Sequence, residues 1–314
     1  MGSILTFMIL ISVRNNTVRY IQVEDSQQRF IVSKIDSFKL PATLKSLDLR
    51  SPDLKFMLQE HLFQRIFREF SSSKIEVLLS LDDMWIDNHI YEVDSNLELE
   101  EKGIFLNWVH RQREGDLWHD KMLFYQNLTT GEDQKDRILS CATYKNVVDS
   151  FKEALENFGG IPVWLESSLS SLSNVVSFLN TGKTAKILLV EPSGKKFNGY
   201  FYNNSELSSI AILNITGQEI VPTNVKGDLE FINQCLQDLM SCWKDINSTP
   251  ELRIFLAGEY TDTQLQRWIR DNNTMNFVTI ISPFSEMACE DVEVPDCSQG
   301  SWFVDHFGLM IRRI

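Results

Sequence analysis

No apolar run in this chain approaches the roughly 18 residues that a membrane-crossing helix needs. Cysteine pairs of the CxxC kind are missing as well. Cys141, Cys235, Cys242, Cys289 and Cys297 are odd in number, and Cys235 and Cys242 fall two turns apart in a helical pattern, too distant to bridge. A disulfide or zinc framework is therefore not expected, and free thiols in a reducing compartment are. Basic residues are in short supply: 30 Lys plus Arg stand against 43 Asp plus Glu, for a formal charge of −13. Such a surface repels phosphate backbones and anionic headgroups, so nucleic acid is not an expected partner. There is no Gly-x-Ser-x-Gly elbow. Gly182-Lys183-Thr184 ends like a Walker A loop, but the earlier glycine position is Ser177 and a helical pattern precedes it, so a P-loop is excluded. His89, His119 and His306 are scattered, and Asp87-x-His89 has no third ligand in sight.

What remains is an ordinary globular composition, 43% hydrophobic and 23% charged over 314 residues, which favours two domains with substantial cores. The opening Ile4-Leu5-Thr6-Phe7-Met8-Ile9-Leu10-Ile11 lacks a basic flank and a small-residue cleavage site. It reads as a buried first strand rather than a targeting segment. A soluble, cytoplasmic chain is expected.

Two stretches share one layout. Near the start, a strand at 8–13, a turn at Arg14-Asn15-Asn16, a strand at 17–23 and a third at 29–35 follow one another. Later, Ile187-Leu188-Leu189-Val190 leads through Glu191-Pro192-Ser193-Gly194-Lys195 into a second strand with Phe197, Gly199 and Phe201. A third strand then carries Ile210 and Ile212. Two such units point to two similar halves.

Between and after them, a helix is expected from Ser51-Pro52 to Phe70, with Leu54, Leu58, Leu62 and Ile66 on one stripe. Strands are expected at 74–80 and 85–93, and Asp82-Asp83 between them reads as solvated charge. Residues 96–146 form a compact insertion: a helix at 97–113 and strands at 121–128 and 137–142. A helix at 145–158 stopped by Gly159-Gly160, a strand at 161–165 and a helix at 167–178 complete the first half. The break at 180–184 bounds it. The second half adds helices at 229–246 and 263–270, strands at 253–257 and 277–281, and an apolar helical end at 302–314. The acidic run 286–296 reads as an exposed loop. Trp85, Phe105, Trp108, Trp118, Phe124 and Tyr125 lie in and near the insertion; most should be core, and an excess would suit a groove that grips a peptide.

The order of elements resembles the actin-like ATPase (ribonuclease H-like) fold, an α/β architecture of two lobes, and more narrowly the PilM family of type IV pilus assembly. Four places carry the likeness. Leu10-Ile11-Ser12-Val13-Arg14-Asn15-Asn16-Thr17-Val18 sits where the family has a first phosphate loop of the form G-I-D-I-G-x-x-S-V. Leu189-Val190-Glu191-Pro192-Ser193-Gly194 sits at the second, V-D-I-G. Ile254-Phe255-Leu256-Ala257-Gly258-Glu259 sits at the glycine-rich adenosine turn. Ser282-Pro283-Phe284, with Phe307-Gly308-Leu309-Met310-Ile311-Arg312, is similar to the closing N-P-F and G-L-A-L-R. The resemblance implies a first lobe at 1–180 with a small α+β insertion at about 96–146, a second lobe at 181–290, and a return of 291–314 to the first lobe.

The departures bear on chemistry. A phosphate loop of this kind needs an Asp to hold Mg²⁺ through water and Gly for close backbone approach. Ser12 and Arg14 stand at those positions. In the second loop Glu191 is one methylene longer than Asp, Pro192 removes a donor, and Ser193 takes the glycine position with Gly194 displaced by one. Glu259 would set a carboxylate near a nucleotide. Arg14 and Lys195 are able to hold a phosphate without metal, but two solvated turn cations is the favoured reading. Ser12, Arg14, Asn15, Asn16, Thr17, Glu191, Ser193, Gly194, Lys195, Gly258 and Glu259 are thus expected to line a degenerate nucleotide cleft, with no metal and no cofactor.

The resemblance further implies a non-catalytic scaffold that binds the short cytoplasmic tail of an inner-membrane protein, as PilM proteins do with PilN, between the first lobe and the insertion. The chain would then sit in the cytoplasm, peripheral to the inner membrane through that partner, in type IV pilus or type II secretion-like assembly. Self-association is left open. The alternative is a working actin-like ATPase that polymerises or switches with ATP and Mg²⁺.

Overall fold

The computed structural model describes residues 6–14, 16–26, 29–45, 47–68, 70, 74–130, 135–179, 186–193, 196–203, 206–214, 237–238, 241, 252–258, 266–267, 278–289 and 292–313. The expected helix at 229–246, most of that at 263–270, the break at 180–184, and Asn15, Gly194, Lys195, Cys235, Cys242 and Glu259 lie outside them.

The chain divides into two compact units. One holds Met1–Ser171, Met287–Val292 and Arg312–Ile314; the other holds Leu172–Glu286 and Glu293–Ile311. Most of the segment expected to rejoin the first lobe thus belongs to the second unit.

In the first unit, β1 (Thr6–Arg14), β2 (Thr17–Ser26) and β3 (Arg29–Lys39) form an antiparallel meander. Both β2 and β3 run longer than the alternation predicts. On the other side of β1, β4 (Ile75–Leu81) lies parallel, followed by β8 (Gly160–Ser167), also parallel. Residues Ile9 to Val13 of β1 and Val77 to Leu81 of β4 are almost uninterrupted buried apolar positions, as expected of strands covered on both faces. In the second unit β9 (Lys186–Ser193), β10 (Lys196–Asn203) and β11 (Glu206–Asn214) repeat the meander. Here β12 (Leu252–Leu256) and β13 (Val278–Ile280) extend β9 in parallel. The strand orders β3-β2-β1-β4-β8 and β11-β10-β9-β12-β13 are the same arrangement built twice. The two-residue β14 (Ala288–Cys289) pairs with the outer edge of β3.

Helices cover the first sheet. After the short α1 (Ala42–Lys45), α2 (Asp53–Leu58) begins where Ser51 Oγ accepts from the Asp53 N–H. One π turn at Gln59–Phe63 separates it from α3 (Gln64–Phe67). Leu54, Leu58, Leu62, Phe63 and Ile66 are fully buried, so the expected stripe survives the local widening. Phe63 packs edge-on against Phe151 of α5 (Lys145–Glu156), and Trp85 packs edge-on against the same ring. Asp82 corrects the expectation of solvated charge. It is buried, its Oδ1 accepts from the Met84 N–H, and its carbonyl accepts from Trp85 and Ile86. It is the pin of the turn after β4.

The insertion is a separate layer: a three-stranded sheet in the order β5 (Asp87–Asp94), β7 (Lys135–Tyr144), β6 (Lys121–Thr130), backed by α4 (Leu99–Glu114). The sheet recruits β5, ahead of the expected insertion boundary. Lys102, Gly103, Leu106 and His110 are the inward residues of α4. Gly103 leaves room there for Tyr125, whose hydroxyl would lie 2.7 Å from an added Cβ and would have to shift. Lys102 is buried against Asp136, with Nζ 2.5 Å from Oδ2.

Candidate functional site

The first candidate loop is the β1–β2 hairpin. Arg14 pairs with Thr17 in register, and the Asn16 carbonyl accepts from the Leu40 N–H. Arg14, Asn16 and Thr17 are half-buried at the tip. Ser12 lies completely buried within the sheet, opposite Arg19 on β2 and Ser80 on β4. A hydroxyl at this depth lacks the charge and reach by which a carboxylate would hold a hydrated cation.

The second unit brings Glu191 and Gly258 together. Glu191 is buried at the end of β9, where its Oε2 accepts from Tyr200 Oη at 3.2 Å and from Asn198 Nδ2 at 3.4 Å. Both donors sit on β10, the neighbouring strand. Gly258 follows β12 with φ +95°, and a Cβ there would lie 3.2 Å from Glu191 Cγ. Its carbonyl accepts from Ser301 Oγ at 2.9 Å, and its N–H donates to the Ser301 carbonyl. Ser193 closes β9. The acid that stands in the second candidate loop is therefore engaged by its own hairpin. Of the two positions, Ser12 supplies no carboxylate and Glu191 supplies one that already accepts from two donors. Among the described residues no group of three or more His, Cys, Asp or Glu is placed to hold a metal ion.

A third location was not resolved to residues by sequence. Within the first unit, a cavity of about 530 Å³ opens between the small sheet and β8. Phe124 from β6, Leu139 from β7, and Val163 and Trp164 from β8 form apolar walls. Trp164 remains 40% exposed and Phe124 50% exposed, so both rings offer apolar area to the opening. Arg312, from the far end of the chain, places its guanidinium 4.7 Å from the centre of the Trp164 ring. Glu166 is buried in the lining and accepts from Ser171 Oγ at 2.5 Å. Ser171 Oγ also lies 3.3 Å from Ser80 Oγ, so a polar string runs from the strand beside Ser12 to this cavity. Burial raises the Glu166 carboxyl above the usual carboxylate range, only partly opposed by Ser171 and the Arg312 charge. Burial likewise pushes the Cys141 thiol up to about 11, so it is an inert part of the wall. Of the crowded aromatics, Trp85 and Trp118 are core, whereas Phe124 faces this opening and Trp108 lies on the outer side of α4. The sequence signal was this surplus of rings; their convergence depends on strand pairing.

No protein-family profile matches the chain, and no curated protein matches it in sequence. Solved structures do match. One chain of a PilM–PilN type IV pilus biogenesis complex superposes with a TM-score of 0.71 at 15% identity, covering 97% of this chain and 98% of that one. A Bacteroides thetaiotaomicron protein of unknown function with an actin-like ATPase fold gives 0.54 at 12% identity, covering 88% and 91%. The chain has the actin-like ATPase fold. The duplicated sheets of that fold are the two repeats described above, and the small sheet with α4 is the insertion in its first unit. No helix among the described residues is long and apolar enough to cross a membrane.

Proposed function

We propose that this protein is a non-catalytic, PilM-like scaffold of the cytoplasm that holds an extended cytoplasmic segment of an inner-membrane assembly protein in the groove between the small sheet and β8. The observation that carries the reading is the pair of half-exposed rings, Trp164 and Phe124, facing a cavity of about 530 Å³. Long apolar side chains of a guest would fill it, with Arg312 and Glu166 as its polar contacts. The similarity to a PilM–PilN complex supports a PilN-like tail as the guest. The loss of acid at Ser12 and the engagement of Glu191 by Tyr200 and Asn198 support a frame kept for its shape, without ATP turnover.

Site-specific photocrosslinking in the native cell tests this. A photoreactive residue at Phe124 or Trp164 is expected to capture the cytoplasmic segment of a membrane-anchored protein, and one at the exposed Phe56 is not. Absence of any product at both groove positions, or the same products from Phe56, would overturn the assignment.

A further inference from the structure

The outer face of α4 carries a second surface, independent of the groove. Its inward residues Lys102, Leu106 and His110 leave the opposite side to Glu101, Ile104, Trp108 and Arg111, which are all exposed. Ile104 is 64% and Trp108 59% exposed, and Phe105 lies alongside the indole at 6.2 Å. Ile104 and Trp108 thus both stay more than half exposed.

The order of that stripe is acid, apolar, apolar, base, and its spacing reads the same in both directions about position 106. A helix with this pattern is complementary to an antiparallel copy of itself. Under a two-fold axis at the level of Leu106, Ile104 meets Trp108 of the second copy and Glu101 meets Arg111 of the second copy; the same pairs then recur with the copies exchanged. Glu100, Asn107 and Gln112, also exposed, would form the polar rim. Antiparallel alignment additionally sets each helix terminus against the opposite terminus of its partner. A different protein would have to reproduce this symmetry by coincidence; a second copy of this chain has it by construction.

We infer that the protein self-associates as a two-fold dimer through α4 of the insertion, with Ile104 and Trp108 as the apolar centre and Glu101–Arg111 pairs at both ends. A single helix pair is a small interface, so the dimer belongs to the weak class, with a dissociation constant on the order of 10 μM.

Sedimentation of the full chain over roughly two decades of concentration around 10 μM tests the inference. The natural chain is expected to pass from monomer to dimer, and Trp108→Glu to stay monomeric. Arg111→Glu and Glu101→Arg, each alone, set like charges at both ends and are expected to weaken association at least tenfold. Mixed one to one, these two variants regain both opposite-charge pairs and should form a heterodimer. Thermal melts show whether each variant is folded. Glu101 also accepts from the Glu98 N–H, so if Glu101→Arg melts early, Trp108→Glu and Arg111→Glu decide the matter. A natural chain that remains monomeric throughout, a dimer that survives Trp108→Glu, or a mixture of folded variants that stays monomeric would each overturn the inference.

Discussion

His110 shows how much one buried side chain can depend on its surroundings. Its ring is fully buried, stacks on Trp118 at 4.6 Å, and places Nε2 2.7 Å from Ser140 Oγ. Burial, aided by the Arg113 charge, depresses its pKa against the opposing pull of Glu114. The folded chain therefore resists a proton that the unfolded chain accepts near pH 6.5. Stability is then undiminished above about pH 6.5 and declines as pH falls from there toward the lower folded value. Urea midpoints measured between about pH 7.5 and 5.5 should drop, and should drop less in His110→Phe. Gly258 is the other residue whose role is local: with φ +95° and Glu191 Cγ where a Cβ would press, Gly258→Ala should cost roughly 1–3 kcal/mol in urea unfolding. The glycine was readable from sequence through its resemblance to a glycine-rich turn. The engagement of Glu191 was not, because Tyr200 and Asn198 reach it only through a hairpin register that residue types do not fix.

At the scale of elements, legibility followed periodicity. The β1–β2 hairpin and the β9–β10–β11 meander show strand alternation broken by turn residues, and α5 carries an unbroken apolar stripe. The π turn at Gln59–Phe63 left no such mark, since Leu58, Leu62 and Ile66 keep the same inward direction through it. Asp82 was misread because two adjacent acids in a turn usually face water; here the first folds back onto its own backbone and only the second is exposed. The groove was legible only as an aromatic surplus, because its walls come from β6, β7, β8 and Arg312, brought together by pairings distant in sequence. Helix α4 carries a capping box: Glu98 accepts from the backbone at Glu101, and the Glu101 side chain accepts from the Glu98 N–H. Glu98→Ala should lower stability by about 1 kcal/mol, read from the shift of the urea midpoint at unchanged slope.

For the molecule as a whole, the repeated strand order fixes the fold even where identity to solved structures is only 15% or 12%. Fold alone leaves chemistry open, since one architecture hosts many functions. The decisive comparison is calorimetric titration of the full chain with ATP, with and without Mg²⁺. No heat above dilution is expected in either case, because Ser12 carries no carboxylate and one oxygen of Glu191 is already held by Tyr200 and Asn198. Micromolar Mg–ATP binding would reverse the scaffold reading in favour of a nucleotide switch.

The first unit is also assembled out of order. Its outer strand β3 is edged by Ala288–Cys289, and Trp164 in its groove lies under Arg312. A nascent chain leaving the ribosome must therefore hold most of that unit, with one raw strand edge and an uncovered indole, until residues 288–312 emerge. Release before residue 312 should yield a species that sticks to itself or to chaperones, and the groove beside Trp164 would mature only once Arg312 is in place.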